Sequence, residues 1–196
     1  SNTVSGDLTN LPAGLTYFRC TGSNTVSGDI ANLPAGLTSF YCSGSNTVSG
    51  DLTNLPAGLT SFTCYGSNTV SGDLTNLPAG LTYFDCYGSN TVSGDIANLP
   101  AGLTYFYCIG LNTVSAYTSG RVWANNMQYV YCLPAAGSGL DATEVDNLLI
   151  DLANVATWTG DKIINIAGNN ATRTAASDVA VNTLRVTKGV TVTVNE

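Results

Sequence analysis

A β-rich α/β solenoid is the fold class that this sequence predicts, on three observations. A 22-residue unit recurs five times almost letter for letter between Ser1 and Gly110, and self-similarity at such a period marks coils that stack one on another. Each unit keeps the apolar signature Leu15-x-x-Phe18-x-Cys20 of the first copy, repeated as far as Leu103-x-x-Phe106-x-Cys108 in the fifth, which suits one short strand per coil. Beyond about residue 132 the repeat gives way to apolar residues at helical spacing, the texture of a cap.

The elements follow in chain order. The half-unit Val4 to Leu15, V-S-G-D-[LI]-x-N-L-P-A-G-L across the copies, is too short and too rich in Gly and Pro for a regular α-helix. It is expected to run extended or as 3₁₀ turns. The strand signature comes next, and a single coil cannot offset the entropy of ordering itself, so the copies are expected to form one cooperative array. After Gly110 the pattern decays through an irregular sixth coil in which Tyr129, Val130, Tyr131 and Cys132 recover the strand signature after a two-residue insertion. The array therefore spans 1–132, and 133–196 form a C-terminal helix-strand-helix-strand cap that continues the sheet. Within it, Val145, Leu148, Leu149, Leu152 and Val155 predict a helix over about 141–155, opened by a capping box of Asp141 and Glu144. Ile164 and Ile166 mark a strand, Ala176, Ala180 and Leu184 a second helix, and Val190, Val192 and Val194 a last strand. About eight parallel strands result, because every strand is reached by a crossover of the same sense.

The signature Leu15-x-x-Phe18-x-Cys20 resembles the leucine-rich repeat family, with Phe and Cys at two of the usual Leu positions. The family's Asn is displaced by one place, to Asn24, Asn46, Asn68 and Asn90, while Ile164-Asn165-Ile166-Ala167-Gly168-Asn169 reproduces the family spacing. The resemblance covers residues 1 to about 132 directly. It implies a curved parallel sheet on the concave side, a mostly irregular or 3₁₀ convex side and a helix-containing C-terminal cap. Copies one, three and four carry Leu-Thr where two and five carry Ile-Ala (Leu8-Thr9 against Ile30-Ala31), which points to duplication of whole units from two parents. The chain thus resembles a bacterial or phage-type member, expected at a cell surface, outside the cell or on a phage particle. Ser1 falls on a repeat boundary, so a longer array is expected, and the uncapped first coil would be an edge for weak self-association.

Several ladders run through the copies. Cys20, Cys42, Cys64, Cys86, Cys108 and Cys132 are expected to be buried free thiols, since parallel side chains about 4.8 Å apart do not offer disulfide geometry. Without any histidine the same column is a poor zinc site, and no metal or other cofactor is expected. Asp7, Asp29, Asp51, Asp73 and Asp95 should accept turn N–H groups rather than hold Ca²⁺; Asn10, Asn32, Asn54, Asn76 and Asn98 are read the same way. Asn24 and its equivalents should bond the turn backbone along the solenoid, and Trp123 and Trp158 should cover the junction of array and cap.

Composition limits the partners. Six Lys+Arg against 13 Asp+Glu, a net charge of −7, argue against nucleic acid or an anionic membrane, both of which need a basic surface. No stretch reaches the apolar length of a transmembrane helix, and a chance match to a glycosylation sequon occurs at Asn170-Ala171-Thr172. Lack of histidine removes the commonest general base, so no catalytic residues are assigned and no enzyme activity is expected.

Between the fixed Leu, Phe and Cys positions, three columns vary freely: Tyr17, Ser39, Ser61, Tyr83, Tyr105; then Arg19, Tyr41, Thr63, Asp85, Tyr107; then Thr21, Ser43, Tyr65, Tyr87, Ile109. The family resemblance places these columns on the concave face, and Tyr129 and Tyr131 continue them on the sixth strand. Tyr surrounded by Ser and Thr is the composition of antibody-like paratopes. The expected function is non-enzymatic recognition of a protein or glycan partner by Tyr17, Arg19, Tyr41, Thr63, Tyr65, Tyr83, Asp85, Tyr87, Tyr105, Tyr107, Tyr129 and Tyr131. The alternatives are a structural spacer or adhesion repeat, for which tyrosine is mere cover for a sheet, and an ice- or surface-adsorbing solenoid. The last would need a flat Thr face; Thr3, Thr25, Thr47, Thr69 and Thr91 form a row, assigned here to a turn.

Overall fold

The computed structural model describes residues 3–196; the repeat boundary and expected self-association edge at Ser1 lie outside them. The array contributes strands β1 (Ser5–Asp7), β2 (Tyr17–Cys20), β3 (Thr25–Asp29), β4 (Ser39–Cys42), β5 (Thr47–Asp51), β6 (Ser61–Cys64), β7 (Thr69–Asp73), β8 (Tyr83–Gly88), β9 (Thr91–Asp95), β10 (Tyr105–Gly110), β11 (Thr113–Ala116) and β12 (Met127–Leu133). The remainder adds helix α1 (Ala142–Ala153), β13 (Trp158–Asn165), helix α2 (Asp178–Asn182) and β14 (Thr191–Thr193). These strands form two parallel sheets, one of eight strands in the order β14-β13-β12-β10-β8-β6-β4-β2 and one of six in the order β1-β3-β5-β7-β9-β11. The architecture is that of a β-rich repeat solenoid.

The eight-stranded sheet holds the predicted strand signature in register, with Phe40 against Phe62 and Cys108 against Cys132. Its inward side chains make continuous rungs: Leu59, Phe62 and Cys64 are fully buried, as are their equivalents in coils two and five. Successive Phe rings lie 5.4–6.0 Å apart from Phe18 to Phe106. The six thiols are free and buried. Desolvation pushes Cys42 and Cys132 up to about 12 and raises Cys20, Cys64, Cys86 and Cys108 as well, which keeps these thiols protonated at neutral pH.

The other half-unit corrects the expectation of a mostly irregular or 3₁₀ side. The T-V-S-G-D segments pair into the six-stranded sheet, and only the three residues after each Asp form a 3₁₀ turn. Stacking supplies the four inner segments with a neighbour on both sides and the edge segments β1 and β11 with one, which local propensity alone does not reveal. Thr25, Thr47, Thr69 and Thr91 therefore open strands rather than occupying a turn. Ser27 faces Thr47 and Gly28 faces Val48, a two-residue stagger that leaves each side chain on its proper face. Between the sheets, Gly66 has φ +88°, and a Cβ there would sit 2.6 Å from the Gly44 carbonyl oxygen; only glycine lets the coils approach this closely.

The expected Asp roles appear in all five copies: Asp7, Asp29, Asp51, Asp73 and Asp95 accept the backbone N–H two residues on at 2.7–2.9 Å, starting each 3₁₀ turn. Asn46, Asn68 and Asn90 are buried; each Oδ1 accepts a valine N–H of the preceding coil at 2.7–2.8 Å, while Nδ2 donates to two carbonyls. Asn10, Asn32, Asn54, Asn76 and Asn98 depart from expectation: they are exposed, and their side chains make no hydrogen bond among the described residues. A further ladder, not anticipated, runs from Thr38 to Thr104, each Oγ1 donating to the threonine carbonyl of the preceding coil at 2.9–3.3 Å.

At the C-terminal end α1 has the predicted capping box, Asp141 accepting from Glu144 N and Glu144 from Asp141 N, both at 2.8 Å. It buries Val145, Leu148, Leu149 and Leu152 completely. β13 pairs with β12, and β14 with β13. The second predicted helix is split: α2 is flanked by a 3₁₀ turn at Ala175–Ser177 and a π-turn at Thr183–Thr187. Asn170, not Asn169, takes the buried ladder role, accepting from Leu140 N and donating to the Cys132, Ile166 and Ala167 carbonyls. No helix among the described residues is long and apolar enough to cross a membrane.

Candidate functional site

Alternation along each strand sends Phe and Cys into the core, so the variable columns lie on the outward face of the eight-stranded sheet. Pairing then sets them in a grid. Across β6, β8 and β10 the rows are Ser61, Tyr83, Tyr105; Thr63, Asp85, Tyr107; and Tyr87 beside Ile109, with Tyr65 at the end of β6 stacked on Tyr87. Asp85 is the centre of this grid.

The tyrosines form a connected layer. Tyr83 stacks on Tyr105 at 4.1 Å, Tyr65 on Tyr87 at 4.3 Å, Tyr105 on Tyr129 at 4.8 Å and Tyr107 on Tyr131 at 4.8 Å. Tyr107 also meets Tyr87 edge-on and leans on Tyr129. Tyr41 joins at the other end, its hydroxyl 2.6 Å from that of Tyr65, and the Arg19 guanidinium lies 4.9 Å over the Tyr41 ring. Tyr17 stands apart at 55% exposure, and Thr63 is only 2% exposed; Thr63 is thus shut off from direct contact with a partner. The other named residues share one continuous surface.

Electrostatics single out Asp85. Its Oδ1 is buried without a hydrogen-bond donor, and burial raises the carboxyl to about 7. Thr63 on β6 and Tyr107 on β10 lie opposite it in register, and the Tyr83, Tyr87, Tyr105, Tyr107 and Tyr129 hydroxyls and the Cys64, Cys86 and Cys108 thiols are close enough to feel its charge; no Lys or Arg is among them. Burial likewise raises Tyr83, Tyr87, Tyr105 and Tyr129, and pushes Tyr107 up to about 12, so all stay neutral hydroxyls.

Asp85 consequently makes stability depend on pH. The folded chain keeps this proton to about pH 7, whereas the unfolded carboxyl releases it near 3.8. Stability from this group therefore falls as pH rises from about 4 to 7 and is level above. Asp85→Asn removes that loss. The variant is expected to be more stable at pH 8 by on the order of 2 kcal/mol, discounted for partial exposure, with the gain vanishing near pH 4. Denaturant midpoints across that range check it; a gain that does not vary with pH would contradict the burial argument.

Other features serve structure. Asn170 of the sequon is 4% exposed, and its amide is fully engaged, so it is no acceptor for a glycan in the folded chain. A cavity of about 300 Å³ lies beside Arg121, Trp123 and Asp151. Arg121 donates to the Ala97, Leu99 and Pro100 carbonyls and covers Trp123, while Asp151 accepts from the Tyr117 hydroxyl and Gly120 N; these groups tie array to cap. Trp123 and Trp158 are both 5% exposed at this junction. No group of three or more Cys, Asp or Glu side chains that could hold a metal is found among the described residues.

Comparison with protein-family models, curated proteins and solved structures finds no match to this chain.

Proposed function

We propose that this chain is a non-enzymatic recognition module that holds a protein or glycan partner on the tyrosine face of its eight-stranded sheet. In this reading the solenoid is of the leucine-rich repeat kind and this face is its concave one. The observation that carries the proposal is the connected layer of eight tyrosines from Tyr41 to Tyr131, set on copies that otherwise hardly vary. Stacked rings give a broad amphipathic surface with little rotamer entropy left to lose. A spacer needs no such variation in its outward columns. Adsorption to a lattice through the six-stranded sheet is less favoured, because the stagger sets each Thr beside a Ser of the neighbouring strand.

The test is binding of the chain to arrayed glycans and peptides, compared with Tyr83→Ser/Tyr107→Ser. The double change should leave folding nearly intact, since the same columns carry Ser61 and Thr63 in the third copy. Partner affinity is expected to fall at least tenfold, as hot-spot aromatics near the centre of a surface usually dictate. A ligand whose affinity ignores this change but is lost in Asp51→Ala/Asp73→Ala would place recognition on the opposite side.

A further inference from the structure

One side of the first coil is bare where the same side of every later coil is covered. Val4 is 58% exposed, Pro12 is exposed, and Leu11, Leu15 and Phe18 are only partly buried, whereas their counterparts in the second coil, Val26, Leu33, Pro34, Leu37 and Phe40, are all buried. What covers the second coil is the first, a unit of nearly the same sequence. Both sheets also end here, since β1 and β2 are paired on one side only among the described residues. The Thr16 and Cys20 carbonyls accept from the second coil, so by alternation the backbone groups of Tyr17 and Arg19 point to the open side. An apolar strip between two unpaired strand edges is a surface shaped for another coil of this same repeat.

We propose that a second copy of this chain covers this surface, head to head about a two-fold axis. Head-to-tail stacking is closed off at the other end of the molecule, where α1 lies over the core and Arg185 donates to the Val192 carbonyl on the outer strand β14. The bare surface of one copy therefore meets the same surface of another, and such a contact closes as a dimer instead of growing. β2 then runs antiparallel to its counterpart. Centring that pair on Phe18 carries the Phe column across the axis and sets Arg19 of one copy opposite Tyr17 of the other, where a guanidinium against a ring engages the tyrosine that stands apart from the connected layer. Residues 3–20 carry one acid, Asp7, and one base, Arg19, so the contact itself escapes the repulsion of a net charge of −7. One coil's cross-section is small beside permanent interfaces, and the dimer forms at micromolar rather than nanomolar concentration. The layer from Tyr41 to Tyr131 stays free.

Sedimentation equilibrium of the intact chain, from nanomolar to high micromolar concentration, is expected to show a reversible monomer–dimer equilibrium and no larger species. Val4→Lys/Tyr17→Lys should weaken dimerisation at least tenfold, because lysine on a strand edge blocks pairing and meets its own copy across the axis. Both positions are more than half exposed in the single chain, so its fold is kept, as circular dichroism checks. Val122→Lys/Val179→Lys, the same added charge at exposed positions elsewhere, should leave the dimer intact, as should Tyr83→Ser/Tyr107→Ser on the tyrosine face. A mixture of Tyr17→Cys and Arg19→Cys chains should be joined by a short bifunctional thiol reagent at least tenfold faster than either chain alone, the six native thiols being buried. A monomer throughout, a dimer indifferent to Val4→Lys/Tyr17→Lys or lost equally in Val122→Lys/Val179→Lys, or assemblies that lengthen with concentration would overturn the proposal. Cross-linking no faster in the mixture than in the separate chains would overturn the two-fold pairing of β2.

Discussion

Deleting residues 133–196 is expected to abolish the cooperative fold rather than release a shorter stable array. β12 is paired on one edge with β10 and on the other with β13, and α1 lays four fully buried side chains, Val145, Leu148, Leu149 and Leu152, on the end of the core. Without them Met127, Val130 and Cys132, now wholly buried, face water beside an open parallel edge. Losing four such apolar anchors at roughly 1.5–3 kcal/mol each is comparable with the whole stability of an ordinary domain, about 5–15 kcal/mol. The junction loses polar ties too, because the Tyr117 hydroxyl and Gly120 N both donate to Asp151. Sedimentation and thermal unfolding of the truncated chain are expected to show aggregation or a broadened transition. A monomer with an unchanged melting temperature would mean that 133–196 is an independent domain.

The strength of that coupling explains what was legible in the sequence. Leu, Phe and Cys rungs, the 141–155 helix and the last two strands are written as apolar periodicity, and the structure repeats them. The six-stranded sheet is not, because T-V-S-G-D is brief, contains strand-breaking Gly and Asp, and pairs only when a neighbouring coil is already in place. Asn170 could have been found: the ladder Asn lies four residues after each Cys, one place beyond the family spacing, and the same offset of one past Asn169 reaches Asn170. For the tyrosine face, the columns were legible and the contacts were not. Nothing in the residue order says that Thr63 is buried on the outward face or that Asp85 Oδ1 is left without a donor; that depends on how side chains from three strands settle against one another.

Asn68→Ala is expected to be among the most damaging single changes in the array, costing roughly 3–5 kcal/mol. Asn68 is fully buried. Its Oδ1 accepts Val48 N at 2.8 Å, and its Nδ2 donates to the Cys42 and Tyr65 carbonyls at 3.1 and 2.9 Å. Alanine would leave three backbone groups without their partner, each orphaned group costing about 1–3 kcal/mol less whatever water can recover. Asn54 is the internal control. It belongs to an equally regular ladder, yet it is exposed and its side chain is unbonded, so Asn54→Ala should shift stability by no more than about 0.5 kcal/mol. Urea midpoints of the two variants measure the contrast directly. Because coils support only their neighbours, the Asn68 loss should also open exchange of the Val48 amide first, before distant coils loosen. Equal effects at Asn54 and Asn68 would mean that the ladder bonds are replaced by water at no net cost, and that the rungs of Leu, Phe and Cys alone hold the coils in register.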